Sequence, residues 1–138
     1  MIGKILWVCG SSIYIILAGM HLLYTFFTNK FSVRDKDTEE RMKKTWPVLT
    51  NKTTMWKAWI GFNGSHSIGG IFFGAINLVF AVSYFELLEN SAGLLLLTCL
   101  TSFFYLFLGF KYWFFIPRTG ILIASVCFGV ATIFILNK

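Results

Sequence analysis

The sequence predicts an all-α, four-transmembrane-helix bundle occupying residues 1–138 as one integral membrane domain, and three observations lead there. Hydrophobic residues make up 57% of the chain and charged residues 13%, about half the roughly 25% charge of a soluble domain, so much of the surface has to face lipid. Four apolar runs approach or exceed the length needed to span a ~30 Å hydrocarbon core at ~1.5 Å per residue. Lys and Arg concentrate in one loop between runs. The net charge of +6 therefore reads as membrane topology and not as a nucleic-acid surface.

The first run covers residues 5–27 and carries no charge. It is longer than the ~7–15-residue apolar stretch of a signal peptide and no A-x-A site follows it, so it reads as a retained helix. Residues 28–55 form the one sizeable polar segment. Asp37 or Thr38 is placed to cap a short helix over residues 39–44, with Pro47 beyond its end. Met42 and Trp46, four apart, share a face that lies on a bilayer surface or in solvent. The second run, residues 56–84, opens with Trp56, Lys57 and Trp59, a headgroup-interface signature. Residues 86–91 read as a short acidic turn. The third run, residues 92–113, closes with Lys111, Tyr112 and Trp113. Residues 117–120, Pro-Arg-Thr-Gly, predict a tight turn, and the fourth run covers about residues 119–136.

With four spans, the first and third loops share a side. They hold Lys30, Arg34, Lys36, Arg41, Lys43, Lys44, Lys52, Lys57, Lys111 and Arg118, against Lys4 and Lys138 on the other. The positive-inside rule then places loop 28–55 in the cytoplasm and both termini outside. Cys9, Cys99 and Cys127 all lie in apolar runs without a C-x-x-C pair, which leaves neither a disulfide framework nor a dithiol redox centre.

Polar and small residues recur at helical spacing along each run: Ser11, Tyr14, Ala18, His21, Thr25 and Thr28; Asn63, Ser67, Gly70, Gly74 and Asn77; Thr98, Ser102, Tyr105, Gly109 and Tyr112; Ser125, Gly129 and Thr132. Such stripes face neighbouring helices, where small residues allow close approach and hydroxyls bond across. The two histidines fall within spans. Helical rise puts His21 roughly 10 Å and His66 roughly 15 Å from the cytoplasmic ends of their helices. The same depth gathers His21, Asn63, His66, Tyr105 and Ser125 as a candidate ligand-binding cluster, with Trp59 at its rim.

Three readings of that cluster stay open. It is interhelical glue in a structural or accessory subunit, a site for a small-molecule or lipid-like ligand, or part of a proton or ion path. No cofactor is assigned, though two histidines leave bis-His haem as an option. No metal site is assigned, because zinc takes three or four ligands and no cysteine falls at the histidine level. No Asp or Glu lies in any span, which weighs against acid–base catalysis and against a proton-driven transporter. Membrane lipid is the expected partner, with a second copy or another membrane subunit as the further option. Trp46, Trp56, Trp59, Tyr112 and Trp113 all map to the cytoplasmic interface. They form an aromatic belt, or the basic loop covers an opening above the histidines and favours anionic headgroups by about 1 kcal/mol per Lys or Arg.

The run Trp56, Trp59, Gly61, Phe62, Asn63, Ser65 and His66, W-x-x-W-x-G-F-N-x-S-H, lies downstream of Gly19, His21 and Tyr24. In this the chain resembles a family of small, uncharacterised bacterial four-helix integral membrane proteins over essentially its whole length. The resemblance implies a bacterial inner-membrane protein and carries no catalytic role. Motifs of glutathione-dependent or quinone-reducing four-helix membrane enzymes are not present.

Overall fold

A computed structural model describes residues 1–137. Lys138, one of the two cations assigned to the far side of the membrane, lies outside the described residues. In chain order the helices are α1 (Ile2–Phe27), α2 (Lys36–Lys44), α3 (Met55–Ser83), α4 (Phe85–Glu89), α5 (Ala92–Tyr112) and α6 (Phe115–Leu136), and no strand occurs among the described residues. Four of them, α1, α3, α5 and α6, have 21 to 29 residues and are apolar enough to cross a membrane. That is the architecture of a multi-pass membrane protein.

Three local expectations are corrected. The polar-loop helix is capped by Asp35, not by Asp37 or Thr38: the Asp35 carboxylate accepts the Thr38 N–H at 3.0 Å, so the helix starts at Lys36. Residues 117–120 do not form a turn. Pro117 sits in the first turn of α6, where its missing N–H has no intrahelical partner to lose, and the chain reverses at Trp113 and Phe114 instead. The acidic turn contains a short helix, α4, because Leu88 turns inward to full burial.

The chain divides into two compact units, Met1–Leu17 with Gly70–Lys138, and Ala18–Gly69. In the first unit four long helices pack as a bundle around Trp7, Tyr14, Leu95, Ile121 and Phe128, all buried. Trp7 meets Phe128 edge-on at 5.0 Å and Tyr14 meets Phe73 edge-on at 4.7 Å, arrangements that aromatic quadrupoles favour. Small residues set the spacing. A Cβ added at Gly3 would lie 3.3 Å from the Ala131 carbonyl, and one at Gly10 would lie 3.2 Å from the Ala124 carbonyl. Gly3 and Gly10 thus oppose fully buried Ala131 and Ala124, each pair seven residues apart in sequence. At Gly74 a Cβ would lie 2.8 Å from the Ser11 carbonyl oxygen and 3.0 Å from the Ile15 nitrogen. Only a hydrogen fits between these backbones, the close approach expected between membrane helices. The opposite faces carry Leu96, Leu100, Phe103, Phe107, Ile123, Val126 and Ile133, all exposed and suited to lipid.

The second unit holds the end of α1, the polar loop with α2, and the start of α3. Gly64 receives the tip of Phe26, whose Cζ would lie 2.9 Å from an added Cβ. No residue of α2 is buried. Lys43 bridges Glu39 at 2.7 Å and Glu40 at 3.0 Å along its surface.

Candidate functional site

Polar side chains within apolar helices are costly unless they are bonded, so the bonding pattern separates glue from a candidate site. In the first unit the pattern is closed. The Asn77 side-chain N–H donates to the Phe73 carbonyl one turn earlier, at 2.9 Å. That fixes the amide orientation and leaves Oδ1 to accept both the Trp7 indole N–H at 3.1 Å and the Thr98 hydroxyl at 2.9 Å. One amide thereby ties α1, α3 and α5 together. A second tier joins α1, α5 and α6: the Tyr14 hydroxyl lies 3.0 Å from Ser102 Oγ, which lies 2.8 Å from Ser125 Oγ. Ser11 returns its hydroxyl to the Trp7 carbonyl at 2.8 Å. Among the described residues, no buried side-chain nitrogen or oxygen lacks a hydrogen-bond partner.

The second unit holds the histidines, which are half-buried, beside Thr25, Asn63 and Ser67, which are buried. Asn63 is built like Asn77, its side-chain N–H donating to the Trp59 carbonyl at 2.8 Å. Its Oδ1 lies 2.9 Å from His21 Nε2. Because the amide orientation is set by Trp59, Nε2 is the donor and carries the proton, which leaves Nδ1 of a neutral ring as the atom with a lone pair. His66 approaches His21 edge-on at 5.6 Å. Phe62 stacks on His66 at 6.3 Å, and Phe31, from the polar loop, lies against His21 at 4.2 Å. The Phe31 backbone is in turn tethered, its carbonyl accepting the Trp59 indole N–H at 3.1 Å. Both histidines are half-buried. Together these groups form an imidazole pair and an amide, bordered by aromatic rings and by a loop segment tied to Trp59 through its indole.

Of the residues singled out in the sequence, the structure brings together His21, Asn63 and His66, with Trp59 acting through Phe31. Tyr105 and Ser125 find partners within the first unit. Ser125 belongs to the Ser102 tier, and Tyr105 packs edge-on to Tyr14 at 5.6 Å and near Trp113 at 6.2 Å. Two participants escaped the sequence reading. Trp7 is fully buried and supplies the indole donor to Asn77. Its signal was available, since a tryptophan inside a span needs an acceptor and Asn77 is an amide inside a span. Phe31 carries no such signal, because its role depends on how the loop folds back.

Iron takes an imidazole lone pair; with His21 Nε2 holding its proton toward Asn63, Nδ1 is the nitrogen of that ring left to ligate. Among the described residues, no group of three His, Cys, Asp or Glu side chains converges that could hold a metal ion. No protein-family model, no curated protein and no solved structure matches the chain.

Proposed function

We propose that this multi-pass membrane protein binds a small, lipid-like molecule at His21, Asn63 and His66, with Trp59 at the rim. One observation carries the reading. Among the described residues the buried polar side chains are hydrogen-bonded, whereas the two histidines are half-buried among aromatic rings, with Phe31, whose carbonyl accepts the Trp59 indole N–H, lying against His21. Imidazole nitrogens and an amide suit a ligand with a hydroxyl or carbonyl head, and Phe31 and Phe62 suit an apolar body. No carboxylate lies among these residues, so the reading is of binding without an assigned reaction. Mass spectrometry of the purified protein should find a lipid-like molecule retained by the wild type and lost from His66→Leu and His21→Leu. Equal retention in all three would overturn the site.

The positive-inside pattern supports loop 28–55 facing the cytoplasm, with both termini on the other side of a bacterial inner membrane. Reporter fusions within residues 34–44 and at the C-terminus should report opposite sides. The site would then open toward the cytoplasm or the inner leaflet, and an Asn63→Cys protein should react with a water-soluble thiol reagent from that side.

The Asn63–His21 bond supports the second reading, interhelical glue in an accessory subunit that packs with a copy of itself or another membrane protein. Under that reading both histidine variants lose stability and no ligand is found.

A further inference from the structure

Thr45 to Met55 forms a closed finger. Its base is pinned by the Met55 N–H donating to the Thr45 carbonyl at 2.9 Å, and its tip is a turn in which the Thr50 N–H donates to the Pro47 carbonyl at 3.1 Å. Thr45 also closes α2, its hydroxyl donating to the Arg41 carbonyl at 2.8 Å, and the Thr50 hydroxyl accepts the Lys52 N–H at 3.2 Å. This ordered backbone presents Val48 and Leu49, both fully exposed, at its tip, with Trp46 largely exposed beside them. Polar and turn-forming residues are the ordinary occupants of a solvated loop tip. Two aliphatic side chains held outward on a pinned turn are instead suited to an apolar phase. The surrounding charge is basic. Lys43 is occupied by Glu39 and Glu40, while Lys44, Lys52 and Lys57 are exposed and form no ion pair among the described residues. The bilayer within reach is the protein's own, because Met55, which pins the finger's base, is the first residue of the spanning helix α3.

We propose that this finger docks on the surface of that bilayer: Val48 and Leu49 enter the headgroup–acyl boundary, Trp46 lies at headgroup level, and Lys44, Lys52 and Lys57 meet anionic lipid phosphates. Apolar insertion and phosphate attraction reinforce each other in such interfacial anchors, and Trp favours this depth. The proposal is independent of any ligand at the histidines.

Leu49→Cys, made in a background with Cys9, Cys99 and Cys127 changed to Ser, carries a spin label to the tip. A label at Asp37→Cys on α2 reports the aqueous side. In phosphatidylcholine nanodiscs containing phosphatidylglycerol, the label at 49 should be shielded from an aqueous nickel chelate by at least about fivefold relative to phosphatidylcholine alone. The label at 37 should not change. Lys52→Gln/Lys57→Gln should lessen the shielding. Equal nickel access at 49 in both nanodiscs would overturn the proposal and point to a protein partner for the tip. If the cysteine-free background fails to fold, quenching by brominated phosphatidylglycerol gives a second readout. The wild type should lose more tryptophan emission than Trp46→Phe, and identical quenching would also overturn the proposal.

Discussion

Asn77 and Asn63 lie on one helix and begin with the same bond, a side-chain N–H returned to the carbonyl one turn earlier. They differ in what meets the amide oxygen. Asn77 accepts two buried donors from two other helices, Trp7 and Thr98. Asn63 accepts one donor, from a histidine that is half-buried, has a second ring nitrogen and touches a second histidine. In the first arrangement both lone pairs of the amide oxygen are used, and it serves cohesion. The second keeps a chemically versatile ring partly accessible. Being polar inside an apolar helix therefore does not define a site; how far the group and its partners are enclosed separates the two.

The largest effect should come from breaking the closed side. Asn77→Leu strands the Trp7 indole N–H and the Thr98 hydroxyl and should lower stability by about 3 kcal/mol, since each buried donor left unpaired costs about 1–3 kcal/mol. Equilibrium denaturation in detergent micelles checks it, and a loss below about 1 kcal/mol would show that membrane-side relaxation re-pairs both groups. Next comes Gly74→Ala, whose methyl meets the α1 backbone at Ser11 and Ile15 and should cost about 1–3 kcal/mol through overpacking. Gly64→Ala in the other unit meets only the end of the Phe26 ring, which can swing aside. Its midpoint shift should be clearly smaller, and the reverse ranking would refute this account of helix spacing. Ser102→Ala removes the link between Tyr14 and Ser125 and should cost about 1 kcal/mol, with Tyr14→Phe costing less.

The smallest effect is on the exposed loop. The Thr38 hydroxyl and N–H hold the Asp35 carboxyl below the ordinary carboxylate range, and Lys43 does the same for Glu40. Groups with depressed folded-state values stabilise above their unfolded values and lose that contribution as pH falls through the folded ones. Helix α2 should therefore stay capped at neutral pH and fray only under acid conditions. Asp35→Ala should speed amide exchange at Thr38 at neutral pH, and an unchanged exchange rate would show that the cap is not what holds the first turn.

The sequence carried most of the fold because membrane spans announce themselves through length and hydropathy, and the polar stripes marked the inward faces. Ser11, Tyr14, Asn63, Ser67, Asn77, Thr98, Ser102 and Ser125 are buried as their spacing required, whereas Thr28 and Tyr112, the end members of two stripes, are exposed. Spacing along one helix fixes a face but says nothing about which partner helix meets it. That is why Ser125 was grouped with the histidines while its link to Ser102 and Tyr14 stayed hidden. The Gly3–Gly10 and Ala124–Ala131 pairs were equally silent, since glycine and alanine in an apolar run look like ordinary spacers. Depth matching did bring His21 and His66 together. The Phe31–Trp59 tether was out of reach, because it joins a loop carbonyl to a side chain and loop paths leave little periodic trace.

The central claim is that the Asn77 network serves cohesion whereas the His21–Asn63–His66 cluster is not needed for it. The most direct measurement compares the unfolding free energies of Asn63→Leu and Asn77→Leu side by side in the same detergent. The account predicts a loss below about 1 kcal/mol for Asn63→Leu, because half-buried His21 can turn its ring or bond to water instead, against about 3 kcal/mol for Asn77→Leu. Equal losses, or a larger one at Asn63, would contradict it and make the histidine cluster a structural clasp.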